Sequence, residues 1–499
     1  MATTIKKDNY DLVVIGGGIN GCGIAADAAG RGLSVLLCEQ HDLASGTSSK
    51  SSKLIHGGLR YLEYREFRLV REALKEREIL LKKAPHLINE LRFVLPHEKH
   101  LRSVWMLRLG LFLYDHLASR ETIQGSCKVN LKKSQYGSAL QDRLKTGFVY
   151  SDCWVDDARL VISNAIAAKQ HGAQVLTRTT CTEAKRDNGR WVISMKHQNG
   201  DTQVISARAL VNAAGPWVAR VINEVIKGKT HYQSQLVKGS HIVVGKLYEG
   251  DHAYILQNKD GRIVFAIPYQ ENLTMVGTTD ERFTGDPAQV EISQDEITYL
   301  CDIINGYFTQ KIHPSDVLWS FSGVRPLHKE NTDNLSALSR DYALELNEID
   351  KTPLVNIFGG KITTYRQLAE HALSKLNPYF PAAKPAWTAD NPLPGGDLGT
   401  DIESYIETLR REYSFLPEAQ IKRYVHAYGS HARKLLYRCQ HLNDLGEYFG
   451  ADLYQREVDY LVEHEWAEQA DDILWRRSKL GLHFSLQQAA RLSEYLKKH

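Results

Sequence analysis

Apolar runs and glycine-rich turns alternate at the start of the chain. Residues 10–15 (Tyr-Asp-Leu-Val-Val-Ile) form a short apolar run, of the kind that is buried on both faces of a parallel sheet. Glycines and an alanine-rich segment over residues 23–32 then favour a helix, and residues 33–38 predict a second strand that ends at Glu39. The pattern therefore predicts one strand–helix–strand unit.

The same periodicities predict further elements along the chain. Apolar residues at helical spacing predict helices over residues 67–87, 156–170 and 363–376. Apolar runs predict strands over residues 174–177, 191–195, 210–212 and 354–358. Short β-rich runs separated by Gly, Asn and Asp predict an antiparallel sheet with strands at residues 241–244, 253–257, 263–267 and 274–276.

A linker rich in proline and glycine, residues 391–397, follows these elements. Beyond it, Val458, Leu461 and Trp466 lie at helical spacing, which predicts an all-α domain. The chain has 499 residues, and at roughly 150 residues per domain it is long enough for about three structural units.

Composition excludes several classes of protein. Hydrophobic residues make up 43% and charged residues 24% of the chain, which is typical of a soluble globular protein and excludes a wholly disordered or collagenous chain. The 62 basic and 59 acidic residues give a net charge of +3, so we expect no nucleic-acid partner. The seven cysteines are scattered and form no CxxC pair, which predicts reduced thiols and no metal site.

Neither a secretory signal nor a membrane-spanning segment is predicted. The N-terminal residues contain no apolar run of the kind found in signal peptides. The longest apolar stretch near a basic segment, residues 109–114, is far shorter than the roughly 20 residues that cross a bilayer. We therefore expect a protein that is not integral to a membrane, although it could lie on one.

Gly16, Gly18 and Gly21 form a G-x-G-x-x-G motif between the first strand and the first helix. In such a motif the glycines permit a tight turn, close approach of the backbone to a pyrophosphate, and close packing of the helix on the sheet. Glu39 ends the following strand, where a carboxylate can accept hydrogen bonds from ribose hydroxyls. The motif in this context predicts an adenine-dinucleotide site.

Three other segments bear on which dinucleotide binds. Residues 42–61 are rich in Ser, Thr and Gly, residues 209–217 are a strand ending in small residues, and residues 355–364 contain a strand, a glycine turn and a helix start. A helix N-terminus near residue 360 could stabilise negative charge on a reduced isoalloxazine. Segments that border the cofactor and lie this far apart in sequence are unlike a compact NAD-binding domain. They favour FAD, in a fold where a substrate domain is inserted within the dinucleotide-binding domain.

The sequence resembles the FAD-dependent sn-glycerol-3-phosphate dehydrogenases of the respiratory type, which belong to the D-amino-acid-oxidase-like flavoproteins. The resemblance covers essentially the whole chain, and its matching strings are residues 15–21, 51–62, 150–159, 238–243, 322–327, 358–366 and 471–477. The glycine motif is generic, whereas His56-Gly-Gly-Leu-Arg-Tyr61 and Ser322-Gly-Val-Arg-Pro-Leu327 are far more discriminating.

The resemblance implies an α/β fold with an additional α domain. The expected parts are a Rossmann-like FAD-binding domain, an inserted antiparallel-sheet substrate domain and an all-α C-terminal domain. Their expected bounds are residues 1–75, 150–235 and 350–390 for the first, residues 76–149 and 236–349 for the second, and residues 391–499 for the third. The implied reaction is oxidation of sn-glycerol 3-phosphate to dihydroxyacetone phosphate, with hydride passing from C2 to flavin N5 and electrons to ubiquinone or a similar membrane quinone.

The residues expected to bind FAD lie in the segments described above. They are Gly16, Gly18, Ile19, Asn20, Gly21, Glu39, Thr47, Ser48, Ser52, Lys53, Leu54, His56, Gly57, Ala214, Gly215, Trp217, Gly360, Lys361 and Thr363.

The substrate is a phosphate dianion that carries a secondary alcohol, so its site needs cations and a proton acceptor. Arg60, Arg325 and Arg340 are the candidate phosphate ligands, and Tyr61 is a candidate hydroxyl donor. The candidate catalytic residues are His56, His241, Arg325 and Lys361. Either histidine could accept the hydroxyl proton, and Lys361 could stabilise reduced flavin or bind the substrate oxygen.

The resemblance implies peripheral attachment to the cytoplasmic face of the inner membrane. Residues 102–114 mix two arginines with aromatic residues, which suits either an interfacial segment or a core helix. The helical C-terminal domain offers a second surface for the membrane or for a homodimer. Three alternatives stay open: an oxygen-using glycerol-3-phosphate oxidase, an amine or hydroxy-acid flavin oxidase of the same fold, and a non-catalytic FAD-binding scaffold.

Overall fold

The computed structural model describes residues 7–98, 102–232, 234–328, 341–399 and 401–498. The strands are β1 (Asn9–Ile15), β2 (Val35–Cys38), β3 (Leu54–Ile55), β4 (Ile88–Pro96), β5 (Cys127–Asn130), β6 (Thr146–Val155), β7 (Gln174–Leu176), β8 (Thr179–Asp187), β9 (Arg190–His197), β10 (Thr202–Asn212), β11 (Ser234–Gly245), β12 (Ala253–Gln257), β13 (Ile263–Tyr269), β14 (Leu273–Gly277), β15 (Glu281–Arg282), β16 (Trp319–His328), β17 (Ala343–Ile349), β18 (Thr352–Phe358), β19 (Tyr448–Gly450) and β20 (Leu453–Tyr454). The α-helices are α1 (Ile19–Gly30), α2 (Phe67–Lys83), α3 (Val104–His116), α4 (Asp157–Gln170), α5 (Val218–Arg220), α6 (Gln294–Tyr307), α7 (Tyr365–Leu376), α8 (Ile402–Glu412), α9 (Glu418–Tyr428), α10 (Ala432–Leu435), α11 (Gln455–Glu465) and α12 (Leu486–Leu496).

The first sheet has the strand order β17-β18-β10-β1-β2-β7. Strands β18, β10, β1, β2 and β7 are parallel, whereas β17 is antiparallel to β18 and β9 is antiparallel to β10. The strands are apolar on both faces because both are covered. Helices α1, α4 and α7 pack on one face, and the β8–β9 hairpin, which continues into β10, contributes side chains to the core on the other.

The second sheet has the order β15-β11-β14-β13-β12-β4-β6-β3, and β16 joins it along the other edge of β11. Most of its pairings are antiparallel, and β4 with β12 is a parallel exception. Helix α6 packs on one face, while α2 and α3 pack on the other. The loop between β2 and β3 connects the two sheets, because β2 belongs to the first sheet and β3 to the second.

The C-terminal region, α8 to α12, has a hydrophobic core of its own. The β19–β20 hairpin lies within it, so the region is not purely helical as the sequence predicts. Buried ion pairs join it to the first sheet and its helices: Arg159 with Glu465, and Arg178 with Asp472. The described residues contain no helix that combines the length and the hydropathy needed to cross a bilayer.

The predicted fold class is confirmed, and so is the opening strand–helix–strand unit, although α1 begins at Ile19 rather than at residue 23. Two segments belong to a different sheet from the one expected. Residues 150–155 extend β6 in the second sheet, because β6 pairs along its whole length with β4. Residues 343–349 form β17 of the first sheet, because Asp350 and Lys351 adopt positive φ and turn the chain back into β18.

Candidate active site

The glycine motif forms a turn that only glycine can occupy. Gly16 has a φ of +112°, and a Cβ there would lie 2.5 Å from the Ala213 carbonyl oxygen. A Cβ at Gly21 would lie 1.9 Å from the Gly16 carbonyl oxygen. Gly18 caps α1, and Ser48 Oγ accepts a hydrogen bond from the Ile19 amide at 2.9 Å. The helix N-terminus is therefore drawn close to the carboxyl ends of β1 and β10.

Glu39 stands beside this turn at the end of β2. Its Oε2 accepts a hydrogen bond from the Gly17 amide at 2.7 Å, and its Oε1 accepts one from the His41 amide at 2.9 Å. Burial raises the pKa of Glu39, while these two backbone donors act in the opposite direction. The two hydrogen bonds fix a carboxyl group next to the glycine turn, where a dinucleotide ribose would lie.

The hydroxyl-rich loop after β2 reaches into the second sheet. Thr47 Oγ1 donates to the Val324 carbonyl at 2.7 Å, and Ser52 Oγ lies 2.9 Å from His241 Nε2. Lys53 adopts a φ of +57° and directs its ammonium to Asp157 at 2.9 Å. The lysine side chain therefore neutralises a buried carboxylate at the start of α4, and cofactor contact by its backbone stays a prediction. Leu54 is buried in β3.

The turns that follow β10 and β18 are the two remaining segments that we expect to border the cofactor. After β10, Gly215 has a φ of +55°, and Trp217 Nε1 donates to Asp286 at 3.3 Å. After β18, Gly360 has a φ of +104°, and a Cβ there would lie 3.0 Å from Asn20 Nδ2. Asn20 Nδ2 donates to the Gly359 carbonyl at 3.1 Å. Helix α1 is thus tied directly to the turn that follows β18.

These residues fit a flavin dinucleotide. At Gly18, the second glycine of the motif, an added Cβ would meet Ser48 Oγ at 3.1 Å and no other atom of the described residues within 4 Å, so a pyrophosphate could approach the backbone there. Two buried polar atoms, Asn20 Oδ1 and His241 Nδ1, have no hydrogen-bond partner within the described part of the chain. Buried polar atoms are normally paired, and Asn20 Oδ1, on the helix that follows the glycine turn, is the one that a bound dinucleotide would adjoin.

Arg325 lies on β16, opposite Val237 of β11 in the second sheet. Its guanidinium pairs with Asp280 and also donates to the Thr279 carbonyl at 3.3 Å. A Cβ at Gly239 would lie 2.8 Å from its Nη2, so this glycine provides the space that the guanidinium occupies. Thr279 and Asp280 were not predicted, although a polar cluster directly after an apolar strand is a usable signal.

His241 lies on β11 opposite Phe321 of β16, and the two rings stack with centroids 4.8 Å apart. The imidazole is buried, and its contact with Ser52 leaves Nδ1 as the unpartnered atom described above. Burial, reinforced by the positive charges of Lys53 and Arg325, lowers the pKa of His241 to about 3. The ring is therefore neutral at physiological pH.

The remaining candidate substrate-binding and catalytic residues lie in the segment after β3 and in the turn after β18. The His56 amide donates to Thr363 Oγ1 at 3.2 Å. Lys361 Nζ lies 3.9 Å from the centroid of the Tyr61 ring, a cation–π contact. Arg60 Nη2 donates to the Tyr64 hydroxyl at 3.3 Å.

The structure thus connects Ser52 with His241 and Tyr61 with Lys361, residues that are far apart in sequence. Gly359, beside Lys361, adjoins Pro326 of β16: a Cβ at Gly359 would lie 3.3 Å from the Pro326 carbonyl oxygen. Arg325 is thereby next to the same turn. The fourth substrate candidate, Arg340, lies outside the described residues.

Comparison with known proteins agrees with this geometry. The family model "FAD dependent oxidoreductase" matches residues 11–360, and "C-terminal domain of alpha-glycerophosphate oxidase" matches residues 386–497. A glycerol-3-phosphate dehydrogenase of Pseudomonas aeruginosa is 57% identical over 488 residues, which is 98% of this chain and 95% of that protein. A D-erythritol 1-phosphate dehydrogenase of Brucella abortus is 49% identical over 492 residues, 98% of each.

A solved structure extends the comparison to three dimensions. The glycerol-3-phosphate dehydrogenase of Bacillus halodurans complexed with FAD superposes with a TM-score of 0.77 and 27% identity, over 99% of this chain and 94% of that one. The expected cofactor is confirmed as FAD. With a matching cofactor fold and a matching C-terminal domain, the chain belongs to the FAD-dependent oxidoreductase family, in the branch that contains the glycerol-3-phosphate dehydrogenases.

Proposed function

We propose that this enzyme oxidises sn-glycerol 3-phosphate to dihydroxyacetone phosphate and passes the electrons to a membrane quinone. The observation that carries the proposal is that His241 contacts Ser52 of the hydroxyl-rich loop and lies near the positive charge of Arg325. The chain also aligns over nearly its full length with relatives named for this activity.

Phosphate binding is assigned first to Arg325. A guanidinium binds phosphate through two parallel N–H donors, which an ammonium cannot do. Asp280 and the Thr279 carbonyl orient this guanidinium from behind, and about a quarter of the side chain is exposed at the cleft. Arg60 and Tyr61 would complete the phosphate site from the segment after β3, with Arg340 as a further candidate.

His241 is the residue that we expect to hydrogen-bond the C2 hydroxyl, and we assign the hydroxyl proton to His56, because a ring whose pKa is lowered to about 3 is a poor base. Ser52 fixes the ring through Nε2, and Nδ1 is the buried atom that lacks a partner in the described chain. A substrate hydroxyl would supply that partner. Bound FAD provides the two-electron acceptor for the hydride from C2. Lys361 holds a positive charge at the start of the turn before α7, where developing negative charge would be stabilised.

Anaerobic reduction of the purified yellow protein tests the reaction directly. Glycerol 3-phosphate should bleach the flavin absorbance at about 450 nm, an absorbance that belongs to the oxidised cofactor itself. D-erythritol 1-phosphate is the competing substrate, since a relative of similar identity carries that name. Absence of bleaching by glycerol 3-phosphate would refute the proposal, and faster bleaching by the erythritol ester would reassign the substrate.

Arg325→Gln tests the phosphate site, with Arg220→Gln as a matched control. Arg220 forms a surface ion pair with Glu224, and 60% of its side chain is exposed. The Arg325 variant should lose at least about 100-fold in kcat/KM, because charge-assisted hydrogen bonds to a ligand contribute roughly 1.5–3 kcal/mol each. It should retain FAD. Wild-type kinetics in this variant would place the phosphate elsewhere.

The identity of the acceptor separates the dehydrogenase from an oxygen-using oxidase. Oxidation by a quinone analogue with little hydrogen peroxide is the expected result. Stoichiometric peroxide in air would favour the oxidase instead.

Helix α3 supports peripheral attachment to the membrane, and the resemblance implies that the attachment is at the cytoplasmic face. Trp105, Leu109 and Phe112 are 67%, 50% and 56% exposed and follow one another at helical spacing. Arg102 and Arg108 flank this outer face. Large exposed apolar residues beside cations are typical of helices that bind the interface of an anionic bilayer. We therefore assign the outer face of α3 to the membrane.

Sedimentation with anionic vesicles tests this assignment. Phe112→Ser should lower the bound fraction about 5-fold or more, whereas Leu486→Ser should not. Leu486 is a matched control because it is an isolated leucine on α12 that is 92% exposed. Equal loss in both variants, or none in the Phe112 variant, would contradict the assignment. A homodimer stays a prediction.

A further inference from the structure

The backbone amide of Gly57 is held by buried side chains beneath the active-site segment. It donates to the Tyr114 hydroxyl at 2.9 Å and to Asp152 Oδ1 at 3.3 Å. A Cβ at Gly57 would lie 2.6 Å from Leu74 Cδ2 and 2.7 Å from the Tyr114 hydroxyl. The segment therefore rests directly on this network, and no side chain fits between them.

The Asp152 carboxylate is the centre of the network. The Tyr114 hydroxyl lies 2.7 Å from each carboxylate oxygen, and Arg77 Nη1 donates to Oδ1 at 2.7 Å. Arg77 Nη1 also donates to the Ser151 carbonyl at 3.0 Å. Asp152, Tyr114 and Arg77 are all buried, and they come from β6, α3 and α2.

A buried ion pair of this kind is a weak source of stability, because desolvation offsets most of the attraction. Its hydrogen bonds are nevertheless directional and strengthened by the low local dielectric, so they fix the position of any group they bind. The backbone group that the Tyr114 hydroxyl and the Asp152 carboxylate both bind is the Gly57 amide. This favours a role in placing the chain around Gly57.

The residues on both sides of Gly57 are those assigned to the substrate. His56 precedes it, and Arg60 and Tyr61 follow. On the other side the His56 amide donates to Thr363, next to the turn that carries Lys361. The segment is therefore fixed at two consecutive amides from opposite directions.

We propose that Asp152, Tyr114 and Arg77 are positioning residues that hold the segment of residues 56–61 in its substrate-binding conformation. The catalytic part of this inference rests on the proposed function, since it assumes that the segment contacts glycerol 3-phosphate. The structural part, that the network holds the segment, can be measured without substrate.

Tyr114→Phe is the decisive variant, and Tyr150→Phe is its control. Tyr150 is equally buried beside Tyr114, with ring centroids 5.8 Å apart, and it stacks on Phe93. Both variants remove one hydroxyl from the same core. Only Tyr114→Phe removes a partner of the Gly57 amide.

Two measurements on the FAD-loaded protein are compared for the pair. Amide hydrogen exchange in a peptide covering residues 54–62 should become about 10-fold faster in Tyr114→Phe and stay unchanged in Tyr150→Phe, because loss of one hydrogen bond permits local opening. The kcat/KM per bound FAD should fall about 10-fold in Tyr114→Phe alone, with FAD content and Tm close to the wild type. A merely structural role would lower Tm or FAD content in both variants.

Asp152→Asn provides a second variant with the same shape and no charge, and it should change both measurements in the same direction as Tyr114→Phe. Wild-type exchange in both variants would overturn the inference. Faster exchange with unchanged kcat/KM would overturn the positioning role. If the wild-type enzyme fails to react with glycerol 3-phosphate, the proposed function is overturned. The hydrogen-exchange result would still decide whether the network holds the segment of residues 56–61.

Discussion

Gly21→Ala is the sharpest single test of the cofactor site. The new Cβ would lie 1.9 Å from the Gly16 carbonyl oxygen, a separation that real Cβ atoms essentially never show. Both sides of the clash are fixed to backbone, so no rotamer change relieves it, and the start of α1 must move away from β1 by about 1 Å. Overpacking of this kind costs roughly 1–3 kcal/mol. At about 1.4 kcal/mol per tenfold, FAD affinity should fall about 10- to 100-fold.

Gly306→Ala is the matched control, because it lies in α6 and an added Cβ has no atom within 4 Å among the described residues. Apoprotein of each variant is titrated with FAD while flavin fluorescence is followed, and unfolding curves are recorded by circular dichroism. The control should bind FAD like the wild type. Wild-type affinity in the Gly21 variant would show that the turn does not bring the backbone against the pyrophosphate.

Three further outcomes are expected from individual side chains. Asp280→Asn should raise the KM for glycerol 3-phosphate about 10-fold with a smaller effect on kcat, because Arg325 loses the carboxylate that orients it; an unchanged KM in steady-state assays would contradict this. Lys361→Met should retain FAD but slow its anaerobic reduction about 100-fold in stopped-flow traces, because a preorganised positive charge is lost; wild-type rates would exclude Lys361 from the reaction. Burial lowers the pKa of His86 in the folded protein to about 3, whereas the ordinary value in an unfolded chain is about 6.5. The unfolded chain therefore takes up a proton that the folded protein does not, and the free energy of unfolding decreases as the pH falls below about 6.5. At pH 5 this amounts to about 2 kcal/mol, and His86→Gln should therefore flatten the decline of Tm between pH 7 and 5, whereas the exposed control His41→Gln should not.

The glycine turn was predictable because its chemistry is local. The tight turn, the helix start and the acidic residue at the end of β2 all lie within one strand–helix–strand unit, and each has its own sequence signal. Gly16 and Gly21 consequently lie where the motif places them. The late start predicted for α1 arose because the alanine-rich segment is a stronger helix signal than the glycines before it.

The substrate side of the site depends on strand register, which no local pattern encodes. Ser52, two residues before β3, meets His241 of β11 although five strands lie between β3 and β11 in the second sheet. His241 stacks on Phe321 because the antiparallel pairing of β11 with β16 sets these two residues opposite each other. A shift of one residue in this pairing would place the two rings on opposite faces of the sheet. The family resemblance therefore supplied these residues, and the residues that orient them, such as Asp280, were missed.

The C-terminal region bears on the cofactor site in a way that its sequence does not indicate. Arg477 is buried and donates to both oxygens of Asp42, at 2.6 and 2.8 Å, and Arg476 pairs with the same carboxylate. Burial alone would raise the pKa of Asp42, but these two guanidinium groups outweigh it and lower the pKa. Asp42 begins the hydroxyl-rich loop that reaches His241.

At the far end of that loop, Lys53 pairs with Asp157, and Lys479 of the C-terminal region pairs with the adjacent Asp156. The loop is thus held at both ends by buried ion pairs that the C-terminal region provides or adjoins. Removing one member of such a pair leaves a buried charge without compensation, at a cost of roughly 3–5 kcal/mol. The C-terminal region therefore helps to hold the hydroxyl-rich loop in place.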